Sequence, residues 1–262
     1  MRFLAFFLLC FSFCLPLAHA LELRVALGVQ DLVPNAAGKP GETGGLVAFN
    51  EDLAREICRR MNAHCRFSYG IFASILPDVE AHRADLGFGN FLRTPERERR
   101  VDFSDSIWRS SSRLLATAAT ARRYADHPEG EMTLDKLRGV RVAVIADTQQ
   151  AIYLRSVAAE QQLSLVEAKT MADTLRLLRD GKADFSLLTM LSAFVMLSRE
   201  TPGAFEFVGP AIAERDLGGT VHIALTKGNA ALRPAVNRAI AAMRADGTWL
   251  RIVRRHFPFN LD

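Results

Sequence analysis

Beyond its first twenty residues the sequence has no long hydrophobic run, few cysteines and no large surplus of either charge, and each shortage removes a class of function. A membrane-spanning helix needs about 20 uninterrupted apolar residues, and no later segment approaches that length. The 262 residues include 33 Lys and Arg against 29 Asp and Glu, with the two signs interleaved along the chain. A net charge of +4 spread in this way makes no demand for nucleic acid or a membrane surface as a partner. No nucleophile elbow, P-loop or zinc helix motif is present. The histidines beyond the first twenty residues, His64, His82, His127, His222 and His256, are scattered, and no cofactor is expected. No internal repeat or low-complexity segment is evident.

What is present begins with Arg2, a run of Phe and Leu, and Ala18-His19-Ala20, which places small residues at both positions a signal peptidase reads. This is an export signal over residues 1–20, with cleavage expected after Ala20 and the mature chain expected in the periplasm. Cys14 follows Phe13, whereas a lipoprotein signal wants Gly or Ala there. Cleavage leaves about 242 residues (262 less 20), enough for two lobes, and lowers the net charge from +4 to +3 because Arg2 is the only charged residue removed. Only Cys58 and Cys65 then remain. In an oxidising compartment they read as a disulfide closing a small loop, the alternative being two unlinked buried thiols. A metal site is disfavoured, since His64 is the only neighbouring ligand candidate.

Strand and helix patterns alternate. Residues 23–28 read as a strand, Pro34 to Gly45 as a loop, and the segment through Leu53, Ile57 and Met61 as a helix capped by Asn50. Strands at 65–69, 84–89, 140–145, 163–167 and 184–189 are interleaved with helices at 72–82, 149–159 and 171–180. This pattern implies parallel sheets covered on both faces. The polar interval 120–131 reads as an exposed loop. Residues 220–226 form a further strand, followed by a helix on Leu232, Val236, Ile240 and Met243 that Gly247 stops, with Thr248 placed to cap a last helix.

Several segments, in order and at near-constant spacing, carry a resemblance that covers nearly all of the mature chain. They are Gly45-Leu46-Val47-Ala48-Phe49-Asn50-Glu51-Asp52-Leu53-Ala54, the Cys58/Cys65 pair, Leu76-Pro77, Asp85, Thr94-Pro95-Glu96-Arg97 and Phe103-Ser104-Asp105. Leu137-Arg138-Gly139-Val140-Arg141-Val142, Asp180-Gly181-Lys182-Ala183-Asp184 and Met243-Arg244-Ala245-Asp246-Gly247-Thr248 complete the set. The chain resembles the family 3 periplasmic solute-binding proteins of ABC importers, of the polar amino acid type, particularly those for histidine and lysine/arginine/ornithine. The resemblance implies an α/β, two-lobed, type II clamshell with a hinge of two strands. Lobe 1 would comprise residues 21–112 and 212–262, and lobe 2 residues 113–211. It implies a monomer that traps a small carboxylate-bearing solute, an amino acid or amino-acid-like, for an inner-membrane ABC permease or a membrane sensor.

The candidate ligand residues follow. In Thr94-Pro95-Glu96-Arg97, Thr94 caps a short helix, Pro95 fits its first turn, and Arg97 can grip a carboxylate with two parallel hydrogen bonds. On local grounds alone, Arg97 also reads as one of several arginines, with Arg93, Arg99 and Arg100, on a solvated face. The resemblance adds Asn90, Leu92 where Ser or Thr is usual, and Phe72 as an apolar wall. Asp147-Thr148-Gln149-Gln150 opens a helix whose N–H groups can face the cleft, and Asp147 either caps it or meets a ligand cation. Thr189 stands where the family's aspartate would pair with a ligand ammonium, which points away from an ordinary α-amino acid. Asp31 and Trp108 are further candidates beside the pocket and the hinge. Two other readings remain: an accessory protein that signals to a sensor kinase or serves an oxidation system, and a cyclohexadienyl-dehydratase-like enzyme.

Overall fold

Val25, Ala26 and Leu27 are consecutive and all buried, the mark of a strand covered on both faces: Val25 and Leu27 join one apolar cluster and Ala26 the other. They lie in β1 (Leu21–Gly28), which opens a computed structural model describing residues 21–29, 45–125, 132–258 and 261. The leader with its expected cleavage site, the loop residues Asp31 and Pro34, and residues 126–131 lie outside the described residues.

The chain continues through α1 (Gly45–Arg60), β2 (Ala63–Gly70), α2 (Phe72–Glu80), β3 (Leu86–Leu92), α3 (Pro95–Arg100) and β4 (Asp102–Ser110). It then enters a second body made of β5 (Ser112–Thr117), α4 (Ala118–Ala125), β6 (Arg141–Ile145), α5 (Gln149–Val157), β7 (Ser164–Ala168), α6 (Met171–Arg179), β8 (Phe185–Thr189), α7 (Met190–Leu197) and β9 (Phe205–Ile212). It returns through β10 (Gly219–Leu225), α8 (Leu232–Ala245) and α9 (Thr248–His256).

Two five-stranded mixed sheets result, ordered β2-β1-β3-β10-β4 and β7-β6-β8-β5-β9. In each, the first three strands are parallel and the fourth runs antiparallel to its neighbours. This is a two-lobed α/β clamshell whose chain crosses between sheets at Ser111 and again over residues 213–218. Leu191 and Val195 of α7 pack into the same cluster as Leu46 of α1, so the lobes touch. Gly45 permits this approach. Its φ is +64°, and a Cβ there would come within 2.3 Å of Val195 Cγ1.

Several local expectations are corrected. Asn50 lies inside α1 and is 1% exposed, because the helix begins five residues earlier, at Gly45. Residues 120–125, the first part of the expected exposed loop, belong to α4, whose Ala121 is buried. Thr248 is the first residue of α9 rather than its cap: Gly247 holds the left-handed cap conformation, and Asp246 Oδ1 accepts from Thr248 N–H at 3.0 Å. Strands β4, β5 and β9 and helix α7 carry no clear periodic signal in the sequence. The absence of an internal repeat holds for the sequence but not for the fold, since β1-α1-β2-α2-β3 and β6-α5-β7-α6-β8 follow one plan.

The same ion-pair clasp stands in both lobes. Arg24 donates from its main-chain N (2.8 Å) and Nε (3.0 Å) to Asp85 Oδ2, and from Nη2 (2.7 Å) to Oδ1. Arg141 repeats this on Asp184 at 2.9, 3.1 and 2.8 Å. Each aspartate sits just before the third parallel strand and each arginine on the first, so the clasp ties the helix–strand corner to the sheet centre. Burial pushes the Asp85 carboxyl up, but the hydrogen bonds from Arg24 outweigh it and the net shift is downward. Hydrogen bonding from Arg141 holds Asp184 below its usual value against partial burial.

Both carboxyls are depressed in the folded protein, so their contribution is complete above about pH 5 and is lost as pH falls through the folded values. Asp85→Asn combined with Asp184→Asn is expected to lower the melting temperature at pH 7 and to flatten its decline between about pH 5 and pH 3. A decline as steep as in the wild type would place the acid-sensitive groups elsewhere. Cys58 and Cys65 are disulfide-bonded, joining the end of α1 to β2 across a separation of seven residues. Replacing both by Ser is expected to cost about 2–3 kcal/mol from lost loop constraint, read as a lower urea midpoint.

Candidate functional site

Parallel strands end together, and their carboxyl ends in the two lobes face one cleft. Lobe 1 supplies Gly28 after β1, Gly89, Asn90 and Leu92 from β3, and Phe72 and Arg97 from α2 and α3. Lobe 2 supplies Ile145 at the end of β6 with Thr148 and Gln149 beyond it, then Lys169, Thr170 and Met171 after β7, and Thr189 at the end of β8.

Arg97 is placed by a short, strongly specified helix. Thr94 Oγ1 accepts from Arg97 N–H at 3.3 Å, and Pro95 occupies the first turn, where its missing N–H leaves nothing unsatisfied. The side chain is 6% exposed. Nη1 donates to Leu92 O at 2.9 Å, and Nη2 crosses the cleft to Asp147 O at 3.4 Å. The guanidinium carbon lies 5.8 Å from the Phe72 ring centroid and 5.4 Å from that of Phe91. Among the described residues no carboxylate forms an ion pair with it. Burial lowers its pKa to about 10, so it remains a cation at neutral pH. Its neighbours behave differently: Arg93 pairs with Glu98, Arg100 pairs with Glu80, and Arg99 is exposed. The solvated-face reading describes those three and not Arg97.

The other expected residues converge on the same cavity with different chemistry to offer. Leu92 is buried and contributes its carbonyl to Arg97 as well as an apolar side chain. Asn90, at a φ of +56°, accepts from Asn50 Nδ2 at 3.4 Å. Phe72 packs against Phe91 at 5.2 Å between centroids. The Thr148 hydroxyl is committed locally, accepting from Ala151 N–H at 3.2 Å and donating to Ile145 O at 2.7 Å. Gln149 is 9% exposed, and among the described residues its amide has no hydrogen-bond partner. Thr189 precedes α7 without a side-chain capping bond. Asp147, at a φ of +60°, turns its carbonyl towards Arg97, and it lines an adjoining groove with Arg100 and Arg155 rather than the main cavity. Trp108 is buried in the lobe 1 core at 2% exposure, away from the cavity.

Gln150 of the expected helix start also lines the cavity, as do Lys169, Thr170 and Ser192, which carry no expectation from sequence. For Lys169-Thr170 a signal existed: the pair follows a strand and opens a helix, as Thr148 does one unit earlier. Gln150 Nε2 donates to Ser112 Oγ at 2.7 Å, and Ser112 in turn donates to Leu217 O, which links the cleft to both chain crossings. His222 and His256 engage Ser104 O and Asp52 within lobe 1. Among the described residues no cluster of His, Cys, Asp and Glu could hold a metal ion.

Known proteins are similar to this chain in sequence and in fold. The histidine-binding periplasmic protein of Salmonella typhimurium is 26% identical over 255 residues, covering 97% of this chain and 95% of that protein. The lysine/arginine/ornithine-binding periplasmic protein of Escherichia coli is 26% identical over 244 residues, 92% of this chain and 90% of the relative. In fold, an ancestral arginine-binding protein bound to arginine superposes with a TM-score of 0.76 at 22% identity, over 90% of this chain and 98% of that one. Residues 28–259 match the bacterial extracellular solute-binding proteins, family 3, and the chain belongs to that family.

Proposed function

We propose that this protein is exported by cleavage after Ala20 and works in the periplasm, capturing a small carboxylate-bearing solute between its lobes for delivery to an ABC-type importer of the inner membrane. The observation that carries this reading is Arg97, a buried guanidinium with only neutral acceptors and a cavity in front of it. An isolated buried cation is unfavourable, and a carboxylate docking on it with two parallel hydrogen bonds relieves the imbalance. Residues 21–112 with 212–262, and residues 113–211, move as two bodies about the crossings at Ser111 and 213–218. Ligand stabilises the closed arrangement because only there do Arg97 and the lobe 2 helix ends reach it together, and that differential affinity is the signal a permease reads. Relatives that bind histidine or lysine, arginine and ornithine support the class of solute, a small polar acid.

Arg97→Met keeps the aliphatic stem and removes the charge. The ligand-free variant is expected to melt at or above the wild-type temperature, since an unpaired buried charge is removed, while small carboxylic acids that raise the wild-type melting temperature no longer do so. A ligand at a hundred times its dissociation constant should stabilise the wild type by about 2.7 kcal/mol. If the variant loses more than about 2 kcal/mol without ligand, or is stabilised by acids as strongly as the wild type, Arg97 serves the fold and not the solute.

A further inference from the structure

The cavity lining is one-sided in charge. Its described residues include two cations, Arg97 from lobe 1 and Lys169 from lobe 2, and no Asp or Glu. Lys169 forms no ion pair among the described residues. The nearest acids in sequence are both engaged: Glu167 pairs with Arg155, and Asp173 Oδ2 accepts from the Thr170 N–H at 3.1 Å and hydroxyl at 2.8 Å, while its Oδ1 accepts from Arg176 at 2.8 Å. Asp147 is turned into the adjoining groove. Three helices, α5, α6 and α7, open at the cavity through Thr148, Thr170 and Thr189, so the positive ends of their dipoles add to the two side-chain charges. Beside them Gln149, 9% exposed, lines both the cavity and the adjoining groove, its amide without a partner among the described residues. The walls between are apolar, with Leu46, Phe72, Met171 and Leu188.

Among the described residues of the lining, an ammonium would meet two like charges and no counter-ion, an arrangement that costs more the drier the site becomes on closure. A second acid group meets the reverse.

We infer that the solute is a small diacid without an ammonium group, one carboxylate on Arg97 and the second anionic group on Lys169, with an apolar spacer between them. This deepens the reading above and rests on its assignment of Arg97.

The test uses the mature full-length chain and calorimetric titration with succinate, glutarate, adipate and pimelate. Butanoate and pentanoate serve as single-acid controls, and L-histidine, L-arginine and L-glutamate as ammonium-bearing ones. At least one diacid is expected to bind about ten-fold or more tightly than the single acids, a margin of about 1.4 kcal/mol. Lys169→Met should collapse that ratio to about one, and Lys169→Glu should reverse it, with melting curves of the ligand-free variants controlling for folding. Tightest binding by L-histidine or L-arginine, unchanged in Lys169→Met, would overturn the diacid while leaving the Arg97 clamp and the solute-binding role intact. If no probe binds, or binding survives in Arg97→Met, both readings fall.

Discussion

A guanidinium kept almost wholly out of water needs compensation, and the cleft is organised around what Arg97 receives. Desolvating a cation of this size costs several kcal/mol in a protein interior. Two main-chain carbonyls, one from each lobe, and the faces of two phenylalanine rings offset part of that, but none carries a full negative charge. The electrostatic account therefore stays open until an anion arrives. One of the carbonyls belongs to Asp147 across the cleft, so Arg97 also bridges the two lobes.

That position depends on a scaffold used twice. In each lobe three parallel strands bring their carboxyl ends to the cleft, and in each the antiparallel fourth strand is the one that adjoins a crossing from the other lobe. The Arg24–Asp85 and Arg141–Asp184 clasps hold the first and third strands of each set in register at their far ends, away from the cleft. Hydrogen bonds from Gln150 to Ser112 and on to Leu217 tie the α5 start to both crossings. Binding chemistry and hinge are thus in mechanical contact through buried polar groups, which hold their geometry because leaving any one unpaired is costly.

Polar supply in the cavity is mostly neutral: the hydroxyl of Thr189, the amide of Gln149 and main-chain groups around Gly89 and Asn90. Neutral donors set orientation, while the two cations set charge. Thr189 lines the cavity as a neutral group, so the charged side chains among the described lining residues are Arg97 and Lys169.

Much was legible along the chain. Alternating βα periodicity, the Thr94-Pro95 helix start and the two remaining cysteines are local signals, so the α/β class, the placement of Arg97 on a capped turn and the disulfide could be read before any packing was known. The start of α1 is not legible because Gly45 and Asn50 both permit a helix to begin, and the packing of Gly45 and Leu46 against Val195 of the other lobe is not visible in the sequence. Strands β4, β5 and β9 are not legible because long-range antiparallel pairing, β4 with β10 and β5 with β8 and β9, and not periodicity, makes them strands. Lys169 and Gln149 show the same limit at the site. Sequence placed each at a helix start, but that Lys169 shares a cavity with Arg97, that Gln149 is left without a partner, and that Asp147 turns away are decided by how two sheets meet. Local patterns fix what neighbours in the chain do; charge balance in a cleft depends on residues far apart in sequence, and only tertiary packing brings them together.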